Sequence, residues 1–310
     1  MTSWPANDLY WGWFAARGGP GAEPSEGGEA GAEPLEGGEA GAGPLEGGEA
    51  KAETYTGSDP AVAGMVAEIV AEMEASLGEK VAVSDWDLKG GNAFVKETSL
   101  GDFATDAIYW QVSQAVQSAP DAAIINGGAL RKSIKAGEIR LRDIYDVIPF
   151  GNQLCTIEVT GAQLLEALEA ATYAAPEPKG AFPQVSQIKF TLDTTVPYQT
   201  GDRYPDSVYY APAAPGSRVT ITEVGGKAFD PEAVYTIATI DFVASGGDTY
   251  YCFAQAGAKT KTYVGYLDFD ALANYMKTGL EGTIPEIYAE PQGRITVIGN
   301  DGKPAPNRPE

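Results

Sequence analysis

The chain has 310 residues and is strongly acidic, with 43 Asp and Glu against 21 Lys and Arg and a formal net charge of −22. Such a balance argues against nucleic acid or an anionic membrane as a partner, because both require a basic surface that releases counterions. A small anionic ligand is still compatible with it, since a few local donors can hold one. The chain contains no histidine, which excludes any site built on an imidazole ligand or base.

Residues 1–57 differ in composition from the rest. Residues 21–50 form three copies of a ten-residue unit, GAEPSEGGEA, GAEPLEGGEA and GAGPLEGGEA. Each copy has at most one sizeable apolar side chain, so we expect a disordered acidic linker, with an interaction tail as the alternative. The first residues lack the basic region of a signal peptide and the run of about 18 apolar residues that a membrane span requires.

A globular domain is predicted over residues 58–299, followed by a disordered tail over 300–310. Asp59 and Pro60 indicate the start of a first helix, and Gly78 indicates its end. Apolar residues recur between them at helical spacing and predict a stripe that faces the core. They are Val62, Met65, Val66, Ile69, Val70, Met73 and Leu77.

A short strand is indicated by Val81 and Val83, and a second helix is predicted after Glu97, with Thr98 or Ser99 as its N-cap. One side of this helix is apolar and is expected to face the core. It carries Leu100, Phe103, Ala104, Ala107, Ile108 and Val112.

The apolar run at residues 122–125 predicts a buried strand that ends at Asn126-Gly127-Gly128. Two successive glycines let a ligand approach the backbone N–H groups closely. Arg131 follows, and a guanidinium beside such a turn can grip a phosphate or carboxylate. An ordinary turn with a solvated Arg is the alternative.

A short helix is predicted over residues 142–147 and is stopped by Pro149. Phe150 follows between that proline and Gly151, next to Asn152. A Phe on such a turn is poorly placed for a continuous core face, so we expect its ring to be exposed in a cleft.

A strand is predicted over residues 154–159, and Thr160 with Gln163 forms the capping box of the next helix. Cys155 and Cys252 lie in apolar runs without metal-binding spacing. We expect both to be buried thiols that behave as small hydrophobic side chains.

Residues 218–224 and 234–240 alternate in polarity around Gly225-Gly226 and predict a hairpin. The last predicted elements are a helix over residues 269–278 and a strand over residues 295–298.

The strand that ends at residue 240 leads into Asp241-Phe242 and then into Ser245-Gly246-Gly247-Asp248. The two glycines permit a tight turn that projects Asp248 into a pocket, where its carboxylate can accept hydrogen bonds from two ribose hydroxyls. An Asp that closes the loop through its own backbone is the alternative.

Four segments resemble, in order and spacing, the C-terminal domain of the 5'-nucleotidase and UDP-sugar hydrolase family. They are NGGALR at 126–131, PFGN at 149–152, FPQV at 182–185 and FVASGGD at 242–248. The resemblance covers roughly residues 97–299 and implies an α+β fold with layers of mixed sheet and helices. The segment GAFPQVSQIKFTLD at 180–193 resembles the part of the family that lines the base pocket.

By this resemblance, Phe150 and Phe242 hold a nucleobase between their rings, Asp248 accepts from the ribose, and the other residues make polar contacts to the nucleotide. The implied substrate-binding residues are Asn126, Gly128, Arg131, Phe150, Asn152, Phe242 and Asp248.

Three departures from the family pattern are visible. The family has an Arg seven residues before Gly101, where this chain has Phe94, with Lys96 nearby as a substitute charge. Gln187 and Thr249 stand where many members have Gly, so the two turns are expected to differ in geometry and stiffness.

Members of the family bind two divalent metals in a separate N-terminal domain that uses His and Asp ligands. The resemblance therefore implies no catalytic residue, metal or cofactor in this chain, but the nucleotide-binding part of a phosphoester hydrolase of nucleotide catabolism. A separate metallophosphoesterase polypeptide is the implied partner. A stand-alone nucleotide or nucleoside binder without turnover is the alternative. Members are usually exported, but no signal peptide is recognised here.

Overall fold

The computed structural model describes residues 60–299. The linker predicted at 1–57, the cap at Asp59 and the tail predicted at 300–310 lie outside the described residues. The helices are α1 (Pro60–Leu77), α2 (Ser99–Ala115), α3 (Leu141–Val147), α4 (Gly161–Ala171), α5 (Asp241–Ala244), α6 (Tyr251–Thr260) and α7 (Asp268–Asn274). The strands are β1 (Lys80–Ser84), β2 (Ala122–Asn126), β3 (Gly137–Arg140), β4 (Gln153–Thr160), β5 (Pro183–Ser186), β6 (Ile188–Asp193), β7 (Thr200–Arg203), β8 (Tyr210–Pro212), β9 (Val219–Val224), β10 (Lys227–Ala228), β11 (Val234–Ile240), β12 (Thr262–Leu267) and β13 (Ile295–Ile298).

The main sheet has five strands in the order β12-β4-β11-β2-β5. Strands β11 and β2 run parallel, and the other neighbours in this sheet are antiparallel. Every residue of β2 is buried, as expected for a strand with neighbours on both sides in a covered sheet.

A second sheet has the order β10-β9-β6-β13, with β13 parallel to β6. Strands β1 and β3, and strands β7 and β8, form two separate antiparallel pairs. Mixed sheets combined with helices make this an α+β fold, as the sequence indicated.

Helix α2 packs against the main sheet, and its predicted apolar residues are fully buried. Thr98 is its N-cap and accepts a hydrogen bond from the backbone N–H of Gly101 at 3.0 Å. The capping box at the start of α4 is also confirmed, because Thr160 and Gln163 exchange side-chain to backbone hydrogen bonds. Local sequence patterns therefore identified the helices that cover the sheet.

The expected core-facing stripe of α1 is wrong over most of its length. Met73 and Leu77 are partly buried, but the earlier members of the stripe are exposed. The exposed fractions are 50% for Val62, 57% for Met65, 52% for Val66, 39% for Ile69 and 40% for Val70. Helical spacing shows which side chains share a face, but not whether another element covers that face.

The predicted hairpin between residues 218–224 and 234–240 is also wrong. Gly225-Gly226 does form a tight turn, but this turn connects β9 to the two-residue strand β10. Strand β11 instead lies in the main sheet between β4 and β2. A turn signal specifies a local reversal, whereas the pairing of the next long strand depends on tertiary packing.

The last predicted helix begins at Asp268 and continues past Asn274 as a π-helical turn over Tyr275–Gly279. The predicted strand over residues 295–298 is confirmed as β13. None of the helices within residues 60–299 combines the length and the apolar character needed to cross a bilayer.

Candidate functional site

Four strand ends meet at one edge of the main sheet. The carboxyl ends of β2 and β11 lie at the same edge because these strands are parallel neighbours. The amino ends of β4 and β5 reach this edge because each runs antiparallel to its partner, with Leu154 opposite Ile240 and Pro183 opposite Asn126. The loops that carry the predicted motifs therefore converge, although they are far apart in sequence.

These loops enclose a cavity of about 390 Å³. It brings together every binding residue that the sequence predicted, and four others line it as well. The predicted lining residues are Asn126, Gly128, Arg131, Phe150, Asn152, Phe242 and Asp248. The additional ones are Phe94, Ala129, Gly180 and Ile240.

The glycine turn after β2 is required by close backbone packing. A Cβ atom on Gly127 would collide with the carbonyl of Ala93, and one on Gly128 would lie 3.2 Å from the Cα of Gly180. The N–H of Gly128 donates to the carbonyl of Gly180 at 2.8 Å. This turn is therefore locked against a second loop, and that loop contributes Gly180 to the cavity wall.

Phe150 and Arg131 form one side of the cavity. The Phe150 ring is 38% exposed, which confirms the prediction that it projects into a cleft. The guanidinium carbon of Arg131 lies 5.9 Å from the centre of this ring, within the range of a cation–π contact. Arg131 also donates to the carbonyl of Gly128 at 3.3 Å, so its head group is held near the glycine turn.

Asn152 is anchored by Asp268, a partner that local sequence patterns did not reveal. Its side-chain amide donates to the Asp268 carboxylate at 2.8 Å, and its backbone N–H donates to the same oxygen at 3.2 Å. Asp268 is fully buried, and burial raises the pKa of its carboxyl to about 7, although hydrogen bonds from Asn152 and Phe269 oppose the shift.

Asn126 and Asp248 form the polar wall of the cavity. The side-chain amide of Asn126 donates to the Asp248 carboxylate at 2.8 Å. The remaining oxygen of Asn126, Oδ1, is buried and has no hydrogen-bond partner in the described part of the chain. Buried acceptors normally find a donor, so this oxygen is an exception among the buried polar atoms of the site.

The loop after α5 positions Phe242 and Asp248 through unusual backbone angles. Gly246, Asp248 and Thr249 have φ values of +87°, +52° and +81°. Gly247 lies directly against the Phe242 ring, since a Cβ atom there would be 2.5 Å from the ring Cζ. A positive φ is rare for a β-branched residue, so Thr249 holds a backbone conformation that Gly adopts more readily.

Two expectations about the surroundings of the cavity concern Lys96 and residues 180–193. Lys96 is not among the lining residues, so the substitute charge expected near Phe94 does not line the cavity. Gly180, the first residue of the 180–193 segment, does line it. Pro183–Ser186 stays outside the lining, because it is a buried strand of the main sheet.

Neither cysteine belongs to a ligand cluster. Both are free and buried, as predicted, and burial raises the pKa of the Cys155 thiol to about 12. Within residues 60–299 no group of three or more His, Cys, Asp and Glu side chains is placed to hold a metal ion. The described residues do not fit a two-metal centre, and no reaction step through a metal is assigned to them.

A mixed α+β fold with a small cavity where four strand ends meet is an arrangement in which small-molecule sites commonly occur. Comparison with known proteins then identifies its family. A sequence profile described as "5'-nucleotidase, C-terminal domain" matches residues 75–255. The chain belongs to this family.

The relatives are longer proteins. The chain is 31% identical over 245 residues to the trifunctional nucleotide phosphoesterase protein YfkN of Bacillus subtilis, covering 76% of this chain and 16% of YfkN. It is 27% identical to a 5'-nucleotidase of Vibrio cholerae, covering 71% of this chain and 34% of that protein. The crystal structure of the 5'-nucleotidase precursor from Thermus thermophilus superimposes with a TM-score of 0.60 at 25% identity, covering 80% of this chain and 43% of that one.

Proposed function

We propose that this chain supplies the nucleotide-binding part of a 5'-nucleotidase-type phosphoester hydrolase that acts in nucleotide catabolism. In this proposal residues 58–299 are the binding domain, residues 1–57 a low-complexity acidic linker and residues 300–310 a tail. The relatives named above are described as nucleotidases and nucleotide phosphoesterases, which supports this ligand class.

One observation carries the proposal: two partly exposed phenylalanine side chains line one cavity together with charged and amide side chains. Phe150 is 38% and Phe242 43% exposed, and both line the cavity with Asp248 and Arg131. Exposed phenyl rings in a cavity offer flat apolar faces, and a nucleobase is the flat ligand that stacks on such faces. Asp248 would accept from the ribose, with Asn126 and Asn152 as further polar contacts and Gly128 allowing close approach.

Calorimetric titration with adenosine, AMP and UDP-glucose tests this binding role. We expect Phe150→Ala and Phe242→Ala each to weaken binding about tenfold or more, since stacking contributes about 1–3 kcal/mol for each base. Tyr263→Ala is a matched control, because Tyr263 is 49% exposed and does not line the cavity. Affinity that is insensitive to both Phe changes would remove the stacking pocket from the proposal.

Turnover is assigned to a metallophosphoesterase part that the described residues do not contain. A separate polypeptide of that kind is the proposed partner, and a stand-alone binder of nucleotides or nucleosides without turnover is the second candidate. Both candidates predict that the purified chain with Zn²⁺ or Mn²⁺ releases phosphate from AMP no faster than buffer does. Rapid release would contradict both, whereas a gain of activity on mixing with a metallophosphoesterase would favour the first.

A further inference from the structure

Phe94 is a third phenylalanine in the wall of the candidate cavity. Of the described residues that line the cavity, Arg131 is the cationic one and Asp248 the anionic one, so the two charges balance. A dianionic phosphate would therefore meet one guanidinium and one carboxylate in a wall whose other residues are uncharged. One charge-assisted contact is a weak basis for phosphate recognition, which normally uses several donors.

The position of Phe94 is held by its surroundings. Ala93, the preceding residue, is fully buried against Gly127 of the glycine turn. The carbonyl of Phe94 accepts a hydrogen bond at 2.9 Å from the N–H of Lys179, next to Gly180 of the wall. The backbone is thus tied to two loops of the site, and Phe94 is part of the cavity wall.

The polar groups of the cavity suit hydroxyl donors better than anions. Asp248 presents a carboxylate, and the side-chain amide of Asn126 already donates to it at 2.8 Å. This carboxylate is an acceptor, which binds ligand hydroxyl groups but repels phosphate oxygens. The guanidinium of Arg131 already contacts the Phe150 ring and the Gly128 carbonyl.

We propose that this cavity recognises the uncharged nucleoside part of its ligand and gains little affinity from the phosphate, with Phe94 as the residue that sets this specificity. The inference rests on the proposed nucleotide-binding function and narrows it. Phosphate then contributes little because it faces a phenyl ring and one shared guanidinium.

The affinity ratio of adenosine to AMP in the unmodified chain is the first test. We expect the two dissociation constants to agree within about threefold, and to change little between low and high salt, because screening acts on charge pairs. An AMP affinity more than about tenfold above that of adenosine would overturn the inference while leaving the proposed function intact. Failure of both ligands to bind would instead overturn the proposed function itself.

Substitution of Phe94 is the second test. Phe94→Arg adds a guanidinium, and we expect it to tighten AMP about tenfold relative to adenosine and to make AMP binding dependent on salt. Phe94→Leu, the matched apolar control, should leave the ratio unchanged. Equal effects of Phe94→Arg on both ligands, in a protein whose melting temperature matches the unmodified chain, would show that Phe94 does not set specificity.

Discussion

The side-chain amide of Asn126 lies 2.8 Å from the carboxylate of Asp248, although 122 residues separate them in the chain. One residue ends a strand of the main sheet, and the other lies in the loop that follows the neighbouring parallel strand. This hydrogen bond holds the polar wall of the cavity in place and points one Asp248 oxygen at the amide. Its loss should weaken ligand binding without unfolding the domain.

Replacing Asn126 tests this hydrogen bond. We expect Asn126→Ala to weaken adenosine binding about tenfold, since hydrogen bonds to charged groups contribute about 1.5–3 kcal/mol. Asn126→Asp should be worse, because two carboxylates then face each other. Calorimetric titrations of both variants measure the difference. Equal affinities of the two variants would count against the assignment.

Gly247→Ala tests the contact between the loop backbone and the Phe242 ring. The new methyl group would lie 2.5 Å from the ring Cζ, so the ring must move. The ring is 43% exposed and can swing into the cavity, and base binding should weaken about fivefold or more with little change in stability. Gly64→Ala is the control, because no atom lies within 4 Å of a Cβ atom there. Unchanged affinity in the Gly247 variant would show that the ring position is unimportant.

Local patterns and the family resemblance together indicated the residues that line the cavity, but not the geometry that joins them. Asn126 follows an apolar run, and Phe150 stands between Pro149 and Gly151, so each could be recognised as a residue at the end of an element. Their convergence depends on the order β4-β11-β2-β5, which is a set of non-local strand pairings. The support of Asn152 by Asp268, 116 residues away, left no local signal for the same reason.

The errors have the same origin. The alternation of residues 218–240 and the glycine pair correctly indicated strands and a turn, but the chain crosses to the other sheet after β10. The spacing of the apolar residues in α1 correctly indicated that they share one face of the helix. It could not show that this face is exposed. Phe94 was recognised only as a departure from a family pattern, and its place in the cavity wall required the fold.

Gln187 offers a test of backbone strain away from the cavity. It is exposed and has a φ of +62°, a region that costs a residue with a Cβ about 1–2 kcal/mol. Part of the relieved strain is offset by the greater flexibility of glycine in the unfolded chain. Gln187→Gly should therefore raise the free energy of unfolding by about 0.5–1 kcal/mol. Gln187→Ala keeps the Cβ and should be nearly neutral. Urea titrations of the three proteins give the values, and equal stability of the Gly and Ala variants would argue against strain.

The raised pKa of Asp268 predicts how the free energy of unfolding depends on pH. Burial raises the pKa of its carboxyl to about 7 from an ordinary value of 3.8, so the folded chain binds this proton more tightly than the unfolded chain does. The resulting stabilisation is complete below about pH 4 and is lost as pH rises through about 7. Asp102, whose pKa burial raises to about 8 against the attraction of Arg294, contributes a slope of the same sign.

Asp268→Asn removes the contribution of Asp268 to the pH dependence of stability and keeps that of Asp102. The free energy of unfolding, measured by urea titration, should fall less between about pH 5 and pH 8 in this variant than in the unmodified chain, because one proton-linked group is gone. Val208→Ala, at an exposed position that carries no titratable group, should leave the slope unchanged. Asp268→Asn should also change the affinity for adenosine, since the Asp268 carboxylate accepts the hydrogen bond that orients Asn152 in the cavity. Identical slopes for all three proteins would mean that Asp268 titrates alike in the folded and unfolded chains.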